Sequence, residues 1–163
     1  LTRSSDLAIE QEAYLRLAAL CAQAEHCQYE MQEKMRRWEL SEEAQARVMQ
    51  RLVTERYVDD ERYARAFVKD KVRYNKWGRR KVEQALWTKH IDEGIRQRVL
   101  DEVDDEEYIA VLRPLLQQKR KSIKANSDYE LNGKLMKFAM SRGFTMDIIK
   151  QCINVTDEDE FLG

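Results

Sequence analysis

Glycine and proline are scarce in this chain, with five and one among 163 residues. That scarcity argues against β-sandwich and Rossmann-type designs, which need both residues for tight turns and phosphate loops. The glycines, at 78, 94, 133, 143 and 163, are too far apart to build a glycine-rich loop. Long apolar runs are missing as well. The longest stretch without a charged residue, residues 17–24, has eight, whereas crossing a bilayer takes roughly 20, so no transmembrane segment is expected. The first twelve residues carry Arg3, Asp6, Glu10 and Glu12 with no apolar run between them, unlike a secretory signal. Cysteine is equally sparse. Cys21, Cys27 and Cys152 cannot all pair, and a chain of this length has core enough without disulfides, so a reducing cytoplasm is the expected location.

The same sparseness limits the chemistry. Cys21, His26 and Cys27 make a Cys-x4-His-Cys cluster, but a zinc site wants four ligands at tighter spacing, and His90 and Cys152 lie far along the chain. No metal or cofactor is therefore expected. No Ser, His and Asp stand in a motif that would mark a nucleophilic enzyme.

Charge is what the chain has in plenty. Charged residues make up 36%, against roughly 25% in ordinary globular chains, which suits long helices washed by solvent. The net charge of −1 conceals an uneven distribution. Residues 62–90 hold ten Lys and Arg against only Asp70 and Glu83, and residues 113–124 add Arg113, Lys119, Arg120, Lys121 and Lys124 with no acid. Carboxylates collect elsewhere, six in residues 101–107 and four in Asp157, Glu158, Asp159 and Glu160. Such segregation predicts a basic surface for a polyanion or an acidic partner.

Periodicity favours helix nearly throughout, and the helices repeat. Leu40-Ser41, Ile91-Asp92 and Phe144-Thr145 are equivalent points, 51 and then 53 residues apart. Nine residues before each apolar member stand Met31, Val82 and Leu135, and five before stand Met35, Leu86 and Ala139. After the polar member come Ala44, Val48 and Met49, then Ile95, Val99 and Leu100, then Ile148, Cys152 and Ile153. Each set fits one helix face on either side of a short corner. Ser41, Asp92 and Thr145 are suited to cap the second helix of each pair. Glu39, His90 and Gly143 occupy the position where a helix end calls for a left-handed residue. A third helix precedes each pair, over residues 10–24, 60–74 and 105–124. Pro114 should kink or restart the last of these after Arg113, and Ser127 with Glu130 has capping-box spacing. The predicted fold is all-α: three tandem three-helix repeats of about 50 residues in an elongated, curved array. The expected divisions are 1–56, 57–103 and 104–155, followed by an acidic tail at 156–163.

At this point the residues carry a resemblance. Residues 51–68 (RLVTERYVDDERYARAFV), followed by Gly78, Arg79, Arg80, Lys81, Val82 and Leu86, resemble the central signature of the RecX family of RecA regulators. Lys134, Leu135, Met136, Lys137 and Phe138, with Ser141, Arg142, Gly143, Phe144 and Thr145, are similar to that family's last repeat. The resemblance spans roughly residues 13–155. Glu39 and His90 stand where the family often has glycine. It implies a modulator rather than an enzyme, one that binds in the groove of the RecA filament on DNA and usually inhibits the recombinase, in DNA repair and recombination.

On a helix over residues 60–74, Arg62, Arg65, Lys69 and Arg73 share one face. Lys76, Arg79, Arg80 and Lys81 follow, the last three in a first helical turn where the macrodipole disfavours cations. With Lys119, Arg120, Lys121 and Lys124, these are the candidate contacts to a RecA filament and its DNA. Tyr74 and Trp77 are either packing residues or stacking platforms for bases. The chain is expected to be a monomer, since tandem units bury their seams in cis. The alternative is a direct DNA-binding helical-repeat protein.

Overall fold

The first structural signal is how the helices end. In the computed structural model, which describes residues 4–153, Glu39, His90 and Gly143 have φ of 59°, 58° and 93°. All three are left-handed, and each allows the same bond just beyond it. The Leu40, Ile91 and Phe144 N–H groups donate to the carbonyls of Met35, Leu86 and Ala139, each over 3.2 Å. This is the Schellman closure of a helix end, and its recurrence shows that three corners are built alike. Arg56 (φ 64°) does the same at a further helix end, with Tyr57 N–H on the Leu52 carbonyl, and the left-handed Lys76 (φ 60°) precedes a wider closure, Trp77 N–H on the Lys71 carbonyl.

Among the described residues there are nine helices and no strand. They fall into three consecutive triplets: α1 (Ser4–Gln23), α2 (Gln28–Arg37) and α3 (Glu42–Thr54); α4 (Asp60–Arg73), α5 (Arg79–Thr88) and α6 (Glu93–Asp101); α7 (Asp105–Arg120), α8 (Asp128–Ser141) and α9 (Met146–Cys152). The protein is thus an all-α tandem array of three-helix units. The acidic tail read at 156–163 lies outside the described residues.

The helix starts are largely those the side chains dictate. Ser41 Oγ accepts the Ala44 N–H, Asp92 Oδ2 the Gly94 N–H, and Asp59 Oδ1 the Arg62 N–H. Thr145, expected to cap α9, makes no such bond. Ser127 Oγ accepts the Glu130 N–H, but Glu130 reaches back to the N–H of Asn126 rather than to that of Ser127.

Two boundaries differ from expectation. α1 begins six residues before Glu10, and α7 ends at Arg120, leaving Lys121 and Lys124 outside the helix. Pro114 does not break α7, which runs through it. Ala110, whose carbonyl loses its partner, is exposed, as is Pro114, so water can take the orphaned group. Tyr108, Ile109, Leu112 and Leu116 bury the opposite face, and that packing offsets the roughly 3 kcal/mol cost of an interior proline.

The core is divided unequally. Tyr14, Leu17, Ala18, Met31, Met35, Val48, Leu52 and Val58 form one cluster within α1 to α3 and the turn that follows. A second, larger cluster is continuous through α4 to α9, and from the first unit only Cys27 and Tyr29 join it. The equivalent positions inferred from the sequence occupy these cores: Met31, Val82 and Leu135 are all buried, as are Met35, Leu86 and Ala139. No helix of the described residues is long and apolar enough to cross a membrane.

Candidate functional site

The basic segment leaves α4 at Tyr74 and re-enters helix at Arg79. Its path is fixed by backbone bonds at both ends: Tyr74 N–H donates to the Asp70 carbonyl and Trp77 N–H to that of Lys71. Gly78, the N-cap of α5, then packs directly on the third corner. Its N–H donates to the Arg142 carbonyl over 2.8 Å, and the Arg80 N–H donates to the Gly143 carbonyl over 2.9 Å. A Cβ on Gly78 would lie 2.3 Å from Phe144 N, and one on Gly143 2.4 Å from Lys81 Cβ. Only glycine fits on both sides of that contact.

This contact brings two aromatic rings and their cations onto one ridge. Lys71 Nζ and Lys81 Nζ lie 5.5 and 4.8 Å from the Trp77 ring centroid. Across the joint, Lys119 Nζ and the Arg142 guanidinium each lie 5.1 Å from the centre of Phe138. Both rings thus hold cations in the cation–π range, and the abutting Lys81 and Gly143 connect the two pairs. Asp70, 3.5 Å from Lys71, forms the one ion pair within the ridge among the described residues.

The remaining candidate cations have different fates. Arg62 donates to Glu25 Oε1 (2.7 Å) and to the carbonyls of Arg56 and Tyr57, holding the first unit to the second. Arg65 forks onto Glu102 (2.7 Å) and Glu61, and Arg98 pairs with Glu61. These hydrogen bonds hold the Glu61 and Glu102 carboxyls below the usual carboxylate range and the Arg65 guanidinium above its own. The four side chains tie α4 to the end of α6 and its neighbour. The face predicted from Arg62 to Arg73 is therefore split: its first half is engaged within the fold, whereas Lys69 and Arg73 are exposed and form no ion pair among the described residues.

Lys76 Nζ donates to the carbonyl of Arg73. Arg79 does not project outward with its neighbours: it pairs with Asp101 (2.7 Å) and Gln97 (3.0 Å), which removes it from the ridge. Arg80 is exposed and Lys81 is held on Trp77. Lys119 joins the ridge, and Arg120, Lys121 and Lys124 stand exposed at the end of α7 and beyond it. The sequence reading missed Lys71, Arg142 and Phe138 as part of this surface. Trp77, half-buried between two ammonium groups, is a packing residue of the ridge, while Tyr74 is 80% exposed.

The second helices carry another shared feature. Trp87 and Met140 each stand three residues before a corner, and both are exposed, at 64% and 51%. The cysteine and histidine cluster is dispersed into local contacts: Cys21 Sγ faces Met31 Sδ (3.7 Å), His26 Nδ1 faces Glu30 (3.3 Å), and Cys27 is buried.

Family models agree with this architecture. The model described as RecX, second three-helix domain, matches residues 59–100, and that described as RecX, third three-helix domain, matches residues 105–153. Together they span more than half of the chain. A protein named regulatory protein RecX from Bacillus cytotoxicus is 25% identical over 150 residues, covering 92% of this chain and 56% of its own length. That from Bacillus mycoides is 23% identical over the same extent. The chain thus spans about half the length of these curated relatives. The crystal structure of RecX from Lactobacillus salivarius superposes with a TM-score of 0.82 at 19% identity, covering 98% of this chain and 99% of that one. Another RecX crystal structure gives 0.83 at 16% identity over 91% of this chain and 73% of the other. With matching three-helix domains in matching order on the same corner-built units, the chain belongs to the RecX family of regulatory proteins.

Proposed function

We propose that this protein is a non-enzymatic, monomeric, cytoplasmic regulator of recombination that lies along the RecA filament on DNA and lowers RecA activity. In this reading the contact surface runs from the middle unit, residues 57–103, onto the third, 104–155, with the first unit, 1–56, flanking it. The observation that carries the reading is the ridge across the second joint. Lys71, Lys81, Arg142 and Lys119 come from two units onto one surface that holds few acids, an arrangement suited to a continuous polyanion. Arg73, Lys76 and Arg80 extend it. Trp87 and Met140, at the same place on successive units, support a protein partner as well as DNA, because exposed large apolar side chains are common binding anchors.

Binding to bare DNA and to RecA-coated DNA, each titrated with salt, tests this reading. A filament regulator keeps a strong preference for the coated lattice at every salt concentration. Replacing Lys76, Arg80 and Arg142 together by Ala should weaken binding to it and lower the log–log salt slope by roughly 0.7–0.9 for each phosphate no longer neutralised. Equal affinity for bare and coated DNA would favour the direct DNA binder instead. An unchanged triple variant would move the functional surface away from the ridge.

A further inference from the structure

Tyr74 is the most exposed large hydrophobic or aromatic side chain among the described residues, at 80%, and the loop that carries it is hydrogen-bonded at both ends. Its N–H is bonded to Asp70, the next turn is closed by Trp77 N–H on Lys71, and Gly78 is anchored on the third corner. An exposed ring whose backbone is already hydrogen-bonded has less main-chain freedom left to lose when something stacks on it. Arg73 precedes it, Lys76 follows in the left-handed conformation, and Arg80 stands in the first turn of α5. None of these three cations is in an ion pair among the described residues. Trp77, which shares the loop, already has Lys71 and Lys81 beside its ring. Tyr74 has no such partner among the described residues.

We infer that Tyr74 is a stacking platform for an unpaired base, and that the ridge accepts single-stranded nucleic acid with the phosphates on Arg73, Lys76 and Arg80. This rests on the reading of the ridge as a polyanion surface and adds the class of polyanion. Every base has a π-face, and an aromatic ring beside a cationic track is how single strands are held without sequence preference. In a duplex those faces are already covered by neighbouring bases. Reaching one would require unstacking, which proteins achieve with apolar wedges rather than with a tyrosine at a loop tip.

The test uses the full chain and three labelled probes of equal length: an oligothymidine, an abasic strand that keeps the phosphates but has no bases, and a duplex. The parent should prefer oligothymidine to both. Tyr74→Ala should weaken oligothymidine binding about 5- to 150-fold, the range for losing one stacked base. It should leave abasic and duplex binding and the salt slope unchanged. Tyr74→Phe and Tyr74→Trp should retain binding, because the ring and not the hydroxyl does the stacking. Circular dichroism of the Ala variant should match the parent, since the side chain supports no core.

No preference of the parent for bases over abasic phosphates, or an unchanged Tyr74→Ala variant, would overturn the inference. So would a loss of equal size on the duplex. If Tyr74→Ala weakened binding only to RecA-coated DNA, the ring would be a protein contact, and the inference would fall while the proposed function stood. If single-strand binding depended on Tyr74 but coated DNA was not preferred, the proposed function would fall instead.

Discussion

The two joints between consecutive units are the same contact made in two materials. In each, the corner of the later unit sits on the N-terminus of the second helix of the unit before it. At the second joint the corner Arg142-Gly143-Phe144 meets Gly78 and Arg80 through backbone alone, at 2.8 and 2.9 Å. At the first joint, Lys89 and His90 meet Cys27, Tyr29 and Glu30 through side chains. His90 stacks on Tyr29 with ring centres 4.1 Å apart, Lys89 pairs with Glu30 at 3.1 Å, and Cys27 Sγ lies 3.9 Å from the Lys89 carbonyl. A shared core backs the second joint, and separate cores flank the first. The difference shows that one architecture supports a seam joined by backbone and a seam joined by side chains in the same chain.

The corner residues give the largest test of that contrast. Phe144→Ala and Ile91→Ala remove side chains that are 2% and 1% exposed and should cost about 3–5 and about 2–5 kcal/mol by denaturant unfolding. Leu40, the corner residue of the first unit, is only partly buried, and its Ala variant should cost about half as much. Equal losses at all three would mean that the joints add nothing to the corners.

Next comes Gly78→Ala, whose new methyl must displace the backbone of Phe144 rather than a flexible side chain. A loss of about 2–3 kcal/mol is expected. Cys27→Ala, at the matching position of the first joint, should cost only about 1 kcal/mol, because side chains there can resettle. If Gly78→Ala were tolerated as easily, the second joint would yield as readily as the first.

The smallest effect belongs to Glu30. Burial pushes its carboxyl up, but hydrogen bonds from Lys89 and the Cys27 N–H, and the charge of Lys89, together hold it below its ordinary value of 4.5. A lowered folded pKa stabilises fully above the unfolded value, and that contribution is lost as pH falls through the folded one. Glu30→Gln should therefore cost about 1 kcal/mol at neutral pH. Below pH 4.5 the parent and variant should converge, and high salt should narrow the gap too. Urea midpoints across pH would show it. A gap that persisted in acid would mean that the pair with Lys89 contributes nothing to the first joint.

Much of this fold was legible because helical periodicity and corner chemistry are local. The positions of Glu39, His90 and Gly143, and the capping roles of Ser41 and Asp92, follow from residues a few steps apart. Thr145 and Pro114 misled for the complementary reason: tertiary packing supported α9 without its cap and α7 through its proline. The candidate surface was only partly readable. Arg62, Arg65 and Arg79 are indistinguishable from Arg73 and Arg80 by spacing, and their carboxylate partners lie up to 37 residues away. Lys71, Phe138 and Arg142 enter the ridge only because Gly78 and Gly143 bring two units into contact.

Cys27 turns the first joint into a clock. Its side chain is fully enclosed there, and burial lifts its thiol to about 11, whereas Cys21 and Cys152 are partly exposed. Thiol reagents attack the thiolate, so an enclosed and protonated Cys27 reacts only in the moments when the two units part. In the intact protein, the slowest of the three labelling reactions is therefore set by how often that seam opens. The chain carries its own reporter of breathing between its first unit and the remainder, with no label engineered into it.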